Sequence, residues 1–144
     1  MVLKLFKAVW FLSMLATLVI LMFNYAGLPE TVVVQEEGPS VLRLSRDAYF
    51  YSMTAFIALV NMMVFPIGKV YSTYPTFRSW FYGLVIALNF FFIVSMNFVG
   101  VFNSGEKFDY SQIRYIVYFS VGLFIAWTIS WPIYLLYRRM TSAP

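Results

Sequence analysis

Long apolar runs alternate with short polar segments along this chain. Four runs contain no Asp, Glu, Lys or Arg, and they cover residues 8–28, 48–68, 80–102 and 115–137. Each run matches the ~20 residues that a helix needs to cross the ~30 Å hydrocarbon core of a bilayer. A helix is the expected form, because a segment in lipid must satisfy its own backbone hydrogen bonds. The pattern predicts an all-α, polytopic membrane protein with a single four-helix domain over residues 1–144.

The longest polar segment, residues 29–47, joins the first two predicted helices. It contains two β-prone pieces, Thr31–Val34 and Ser40–Leu44, separated by an acidic Gly-Pro turn at residues 36–39. This pattern is typical of a short β-hairpin. An isolated two-stranded hairpin is marginal in water, so its apolar side chains need a support. The sequence leaves two supports open: the hairpin's own helices, or another protein.

Composition agrees with a membrane protein and excludes a soluble domain. Hydrophobic residues make up 62% of the 144 positions, whereas charged residues make up 11%, against roughly 25% in soluble domains. The mean hydropathy is +0.78.

Charge predicts the orientation of the chain. With four crossings both termini share one side, and that side carries six of the ten basic residues: Lys4, Lys7, Lys69, Arg78, Arg138 and Arg139. All six acidic residues lie on the other side. Under the positive-inside rule, this distribution predicts cytoplasmic termini.

Missing residue types exclude most chemistry. The chain has no His and no Cys, which removes the usual ligands of haem, iron–sulfur clusters and zinc. No acidic residue lies within an apolar run, where ion and proton carriers keep one. The basic residues occur singly or in pairs at helix ends, as membrane anchors do, so nucleic acid is not an expected partner. We therefore predict no catalytic residue, no metal and no cofactor, while bound lipid is compatible with the composition.

Small residues recur at helical spacing in two predicted spans. Gly122, Ala126 and Ser130 follow one another every four residues in the fourth span, and Gly83 and Ala87 do so in the third. Strips of this kind let two helix backbones approach closely in a membrane. The sequence predicts helix packing at these five positions.

Three amide side chains lie within the apolar runs, at Asn61, Asn89 and Asn97. We expect each to form hydrogen bonds between helices, with a ligand-binding or pore role as the alternative.

Local signals also mark helix ends and bends. Ser45 or Asp47 can cap the second helix, and Asp109 with Gln112 resembles a capping box for the fourth. Pro66 predicts a bend in the second helix, because proline lacks the backbone N–H.

The end of the first span, Leu28-Pro29-Glu30-Thr31-Val32, is followed by Gly38 and then by basic residues. Over residues 28–47 it resembles the external Leu-Pro motif of a widespread bacterial membrane family of unknown function, which includes immunity proteins against secreted peptide toxins. This chain has Val33 and Gln35 where that motif usually continues with a second Pro and a His. The resemblance implies a bacterial polytopic protein, hence the inner membrane. No binding residue is transferred from the family.

Three classes of function remain open from the sequence. The first is a non-catalytic accessory subunit that packs against other subunits of a larger membrane complex. The second is a receptor or immunity-type protein that binds a peptide or periplasmic domain through its external loop. The third, a lipid- or quinone-linked enzyme, would depend on Arg114, Tyr110 and Tyr118. Docking in the second class would use Glu30, Glu36, Glu37 and Arg114. We favour the first class and expect the chain not to be an enzyme.

Overall fold

The computed structural model describes residues 1–37, 40–105 and 110–141, except for the side chains at 35–37, 40 and 110–113. The elements are α1 (Val2–Gly27), β1 (Thr31–Glu37), β2 (Ser40–Ser45), α2 (Arg46–Met62), α3 (Val64–Val70), α4 (Pro75–Asn103) and α5 (Tyr110–Thr141). Four segments of the described chain are long and apolar enough to cross a membrane. Helices α2 and α3 together form the second of these spans, and α1, α4 and α5 form the first, third and fourth. The predicted four-helix fold is confirmed. We call the side with the strands the hairpin end and the opposite side the terminal end.

The helices extend beyond the uncharged runs. α1 begins at Val2 and therefore includes Lys4 and Lys7, while α4 begins at Pro75 and includes Arg78. A basic residue can continue a helix out of the hydrocarbon, because its long side chain reaches the headgroups. Boundaries predicted from charge therefore mark the apolar part of each helix and not its full length.

The second span is interrupted at Met63, between α2 and α3. Pro66 has no N–H to donate to the carbonyl of Met62, so one helical hydrogen bond is missing here. Regular bonding continues on both sides, from Met63 N to Leu59 O and from Ile67 N to Met63 O, each over 3.2 Å. The interruption lies where the proline predicts it.

α4 is the central helix of the bundle. It contacts α1 and α5, and it also touches α2, α3 and β1. Two apolar clusters join it to its neighbours: Leu21, Ile57 and Met96 in one, and Val64, Tyr82 and Val85 in the other. These clusters position α1, α2 and α3 against one long apolar helix.

The loop between α1 and α2 is an antiparallel hairpin, which confirms the prediction. Val32 pairs with Leu44 and Val33 with Arg43, and a bulge follows before Gln35 pairs with Leu42. Strand β1 runs through Glu37, further than the sequence indicates, because its backbone continues to pair with β2 as far as Ser40.

The hairpin lies on the helices of its own chain. Val32 is fully buried. It packs with Leu28, directly after α1, with Tyr49 on α2 and with Val99 on α4. Leu42, in contrast, is 52% exposed. The sequence leaves open whether the hairpin rests on its own helices or on another protein, and the structure shows it on its own helices.

The side chain of Asn103, at the end of α4, bonds to β1 as a neighbouring strand would. Its Oδ1 accepts from Val33 N over 2.8 Å, and its Nδ2 donates to Val33 O over 2.9 Å. Nothing in the sequence around Asn103, which directly follows the apolar run 80–102, indicates this contact. Asn103 therefore fastens the hairpin to the central helix.

The substitution Asn103→Ala removes both bonds to Val33. Both bonds are half-buried, so we expect the hairpin to open more easily by about 0.5–1.5 kcal/mol for each lost hydrogen bond. Amide hydrogen exchange at Val33 in detergent micelles measures this opening. Asn97→Ala is the control, because Asn97 Nδ2 donates to Ile93 O within its own helix. Equal exchange at Val33 in both variants would show that Asn103 does not hold the hairpin.

Candidate functional site

Two asparagine side chains pair with each other inside the bundle. Nδ2 of Asn61, on α2, donates to Oδ1 of Asn89, on α4, over 2.8 Å. Nδ2 of Asn89 donates back to Oδ1 of Asn61 over 3.1 Å. Asn61 is 4% exposed and Asn89 0%. The two amides form a closed pair between α2 and α4.

Helix α1 supplies further partners for this pair. Asn89 Nδ2 also donates to Ser13 Oγ over 3.0 Å, and Trp10 Nε1 donates to Asn61 Oδ1 over 2.9 Å. We call Trp10, Ser13, Asn61 and Asn89 the amide network. Because its members lie on α1, α2 and α4, the network joins three of the four spans.

The amide network is satisfied within the chain. Each asparagine amide carries two N–H donors. Asn61 uses its second donor on the carbonyl of Ile57, over 2.9 Å, and Asn89 divides its two between Asn61 and Ser13. All four donors of the pair therefore have acceptors. The network is uncharged, so its arrangement suits helix packing better than proton transfer.

The third asparagine is placed differently. Asn97 is exposed on α4, and its Nδ2 donates to Ile93 O over 2.8 Å within the same helix. The expected bond between helices is therefore replaced by a local one, because this face of α4 lies open at the hairpin end.

A reciprocal pair of tryptophans joins α4 to α5. Trp80 Nε1 donates to Trp127 O over 3.0 Å, and Trp127 Nε1 donates to Trp80 O over 2.9 Å. Ser130 Oγ accepts a second bond from Trp80 Nε1 over 3.2 Å. The sequence indicates no pairing between these two tryptophans. Their pairing is a long-range contact, which no local pattern indicates.

The two predicted small-residue strips differ in what they touch. On α4, the indole of Trp127 lies directly against Gly83, and Ala87 is buried. On α5, Gly122 and Ala126 are exposed, and a Cβ at Gly122 would meet nothing within 4 Å. The α4 strip is therefore occupied by the chain itself, whereas Gly122 and Ala126 form an open strip on α5.

At the hairpin end, polar side chains join the end of α1 to the start of α2. Tyr25 donates from its hydroxyl to Asp47 Oδ1 over 2.9 Å, and the guanidinium of Arg46 lies 5.0 Å from the centre of the Tyr25 ring. Ser45, one of the two predicted caps, accepts from Ala48 N over 3.2 Å. These contacts fix the start of α2.

The predicted docking residues are spread over the hairpin end. Glu30 and Arg114 are exposed. The side chains of Glu36 and Glu37 lie outside the described residues, and so does Asp109 of the predicted capping box. The structure therefore brings no pair of these residues together within its described part.

Within the described ranges, no group of three or more acidic side chains could hold a metal ion. An apolar cleft of about 480 Å³ opens between α1, α4 and α5. It is lined by Leu5, Val9, Ile86, Phe90, Leu123 and Trp127, among others.

Comparisons with protein-family models, curated proteins and solved structures find no match to this chain.

The substitution Gly83→Ala tests the close approach of α4 and α5. The new Cβ would overlap the Trp127 indole, so we expect the free energy of unfolding in mixed micelles to fall by about 1–3 kcal/mol. Gly122→Ala makes the same chemical change in open space, and it should leave the free energy of unfolding unchanged or raise it by up to about 1 kcal/mol, because alanine favours a helix over glycine. If the two variants unfold alike, the tight contact does not exist in the folded protein.

Proposed function

We propose that this chain acts by contact, as a non-catalytic accessory subunit that helps to assemble or stabilise a larger complex in a bacterial inner membrane. Its partners would be other membrane-protein subunits, with lipids around them and both termini in the cytoplasm. The proposal includes no cofactor, metal or nucleic acid. The observation that carries it is the open strip of Gly122 and Ala126 on α5.

The open strip supports the proposal because small residues favour helix association in lipid. Apolar side chains gain little by leaving lipid for another helix, so association depends on close packing and small interfacial residues. On α4, the same kind of surface at Gly83 receives Trp127. Gly122 and Ala126 offer a second such surface, and it faces away from the bundle.

The amide network supports the same proposal from inside the bundle. Its four amide donors bond within the chain, and neither Asn61 nor Asn89 can act as a base near neutral pH. A bundle whose buried asparagine pair is satisfied internally, and which presents small residues outwards, is suited to serve as a packing partner.

A second candidate is a receptor or immunity-type protein, and the hairpin favours it. Val41 and Leu42 are exposed at 38% and 52%, next to an acidic turn in the sequence. A basic, partly apolar peptide would complement such a surface. In this alternative the partner binds at residues 29–47 and not at α5.

Recovery of the tagged chain from native membranes, followed by mass spectrometry, tests the accessory role. Ala126→Leu adds bulk to the open strip, and we expect it to lower partner recovery about tenfold, equivalent to roughly 1.4 kcal/mol. Because Ala126 is exposed, the variant chain alone should unfold like the parent, within about 0.5 kcal/mol.

Thr128→Leu is the matched control, since Thr128 is also exposed on α5 but lies off the strip. It should leave partner recovery unchanged. Recovery of the parent as a lone chain that turns over a substrate would contradict the proposal. Loss of the partner with Leu42→Asp, while Ala126→Leu retains it, would instead favour the receptor function.

A further inference from the structure

A second cavity, of about 540 Å³, lies at the terminal end of the bundle. It is a partly open cavity between the turn that joins α3 to α4 and the last turns of α5, and its wall includes Tyr71, Tyr74, Thr76, Trp131, Tyr134 and Arg138. It is separate from the amide network and from the open strip. Neither the fold nor the proposed function accounts for it.

Packed aromatic rings build one wall of this cavity. The ring centres of Tyr71 and Phe77 lie 4.4 Å apart, those of Phe77 and Trp131 5.0 Å, and those of Trp131 and Tyr134 5.5 Å. The chain of contacts runs from the α3–α4 turn, through the first turn of α4, onto α5. The cavity is therefore bounded by side chains that support one another.

The charge of the cavity is positive. Arg138 is the basic residue in its wall, and the segments that form the terminal end, residues 1–7, 67–80 and 131–141, contain no acidic residue. The first turn of α4 adds to this potential, because Thr76 and Phe77 line the cavity and α4 has no side-chain cap at Tyr74. Backbone N–H groups at a helix start attract anions.

The position of the cavity at the end of the membrane-spanning helices indicates which kind of anion would bind there. Tryptophan and tyrosine at the end of a membrane-spanning helix mark the level of the lipid headgroups. A ligand that suits this wall has an anionic head for Arg138 and an apolar tail for Trp131 and Leu135. A guanidinium binds phosphate oxygens in a bidentate manner, and hydroxyl groups such as those of Tyr74 and Thr76 can donate to the same oxygens.

We infer that the cavity between the α3–α4 turn and the end of α5 is a binding site for the phosphate headgroup of an anionic phospholipid. Arg138 binds the phosphate, the start of α4 and its hydroxyls complete the headgroup site, and one acyl chain follows the apolar side of α5. This inference is independent of the accessory role, since it concerns another surface and another class of ligand.

Native mass spectrometry of the full chain in mild detergent tests the site. The lipids are phosphatidylglycerol and, for comparison, phosphatidylcholine, each titrated at the same concentrations. We expect the parent to bind phosphatidylglycerol more tightly, and Arg138→Gln to weaken that binding about fivefold. Arg139→Gln makes the same change in charge one residue further along, outside the cavity wall, and should leave the affinity nearly unchanged.

A second variant tests whether binding needs the space of the cavity as well as its charge. Thr76→Trp fills part of the cavity without changing the net charge, and it should also lower the affinity for phosphatidylglycerol. Equal weakening by Arg138→Gln and Arg139→Gln would overturn the inference, because it would mean that diffuse charge attracts the lipid. Equal binding of the two lipids by the parent would overturn it as well. Binding of an acidic peptide that phosphatidylglycerol fails to displace would assign the cavity to a protein partner and reject a lipid.

Discussion

Inside a bilayer a polar side chain must find its partner within the protein, and this constraint determines how the bundle is arranged. Asn61 and Asn89 meet it by bonding to each other, while Trp10 and Ser13 complete the set from α1. Such bonds are directional, whereas contacts between apolar side chains in lipid are not. The amide network therefore fixes the rotation and depth of α1, α2 and α4 relative to one another.

Helix α5 and the hairpin are attached through α4 to the unit that α1, α2 and α4 form. The tryptophan pair and the close approach at Gly83 fasten α5 near the terminal end, and Asn103 fastens the hairpin at the other. Each attachment leaves a surface of the described residues uncovered: the open strip on α5, and the part of β2 that includes Val41 and Leu42. These two surfaces are exposed because α4 contacts only one side of α5 and only part of the hairpin.

The spans, the hairpin and the break near Pro66 could all be predicted from the sequence, because each depends on local composition and spacing. The hydrogen-bond partners of the polar side chains could not be predicted in this way. Asn61, Asn89 and Asn97 look alike in the sequence, yet two of them pair between helices and the third bonds within its own. Which strip of small residues is filled depends on Trp127, and the role of Asn103 depends on a strand about 70 residues away. These contacts are set by the three-dimensional arrangement of the helices.

A double-mutant cycle of Asn61→Leu and Asn89→Leu tests the central claim most directly. The free energy of unfolding is measured in mixed micelles for the parent, both single variants and the double variant. If the amide pair holds α2 to α4, the second substitution costs much less once the first is present, with a coupling energy of about 1 kcal/mol or more. Losses that add within about 0.3 kcal/mol would contradict the claim, because they would mean that the two amides stabilise the bundle independently.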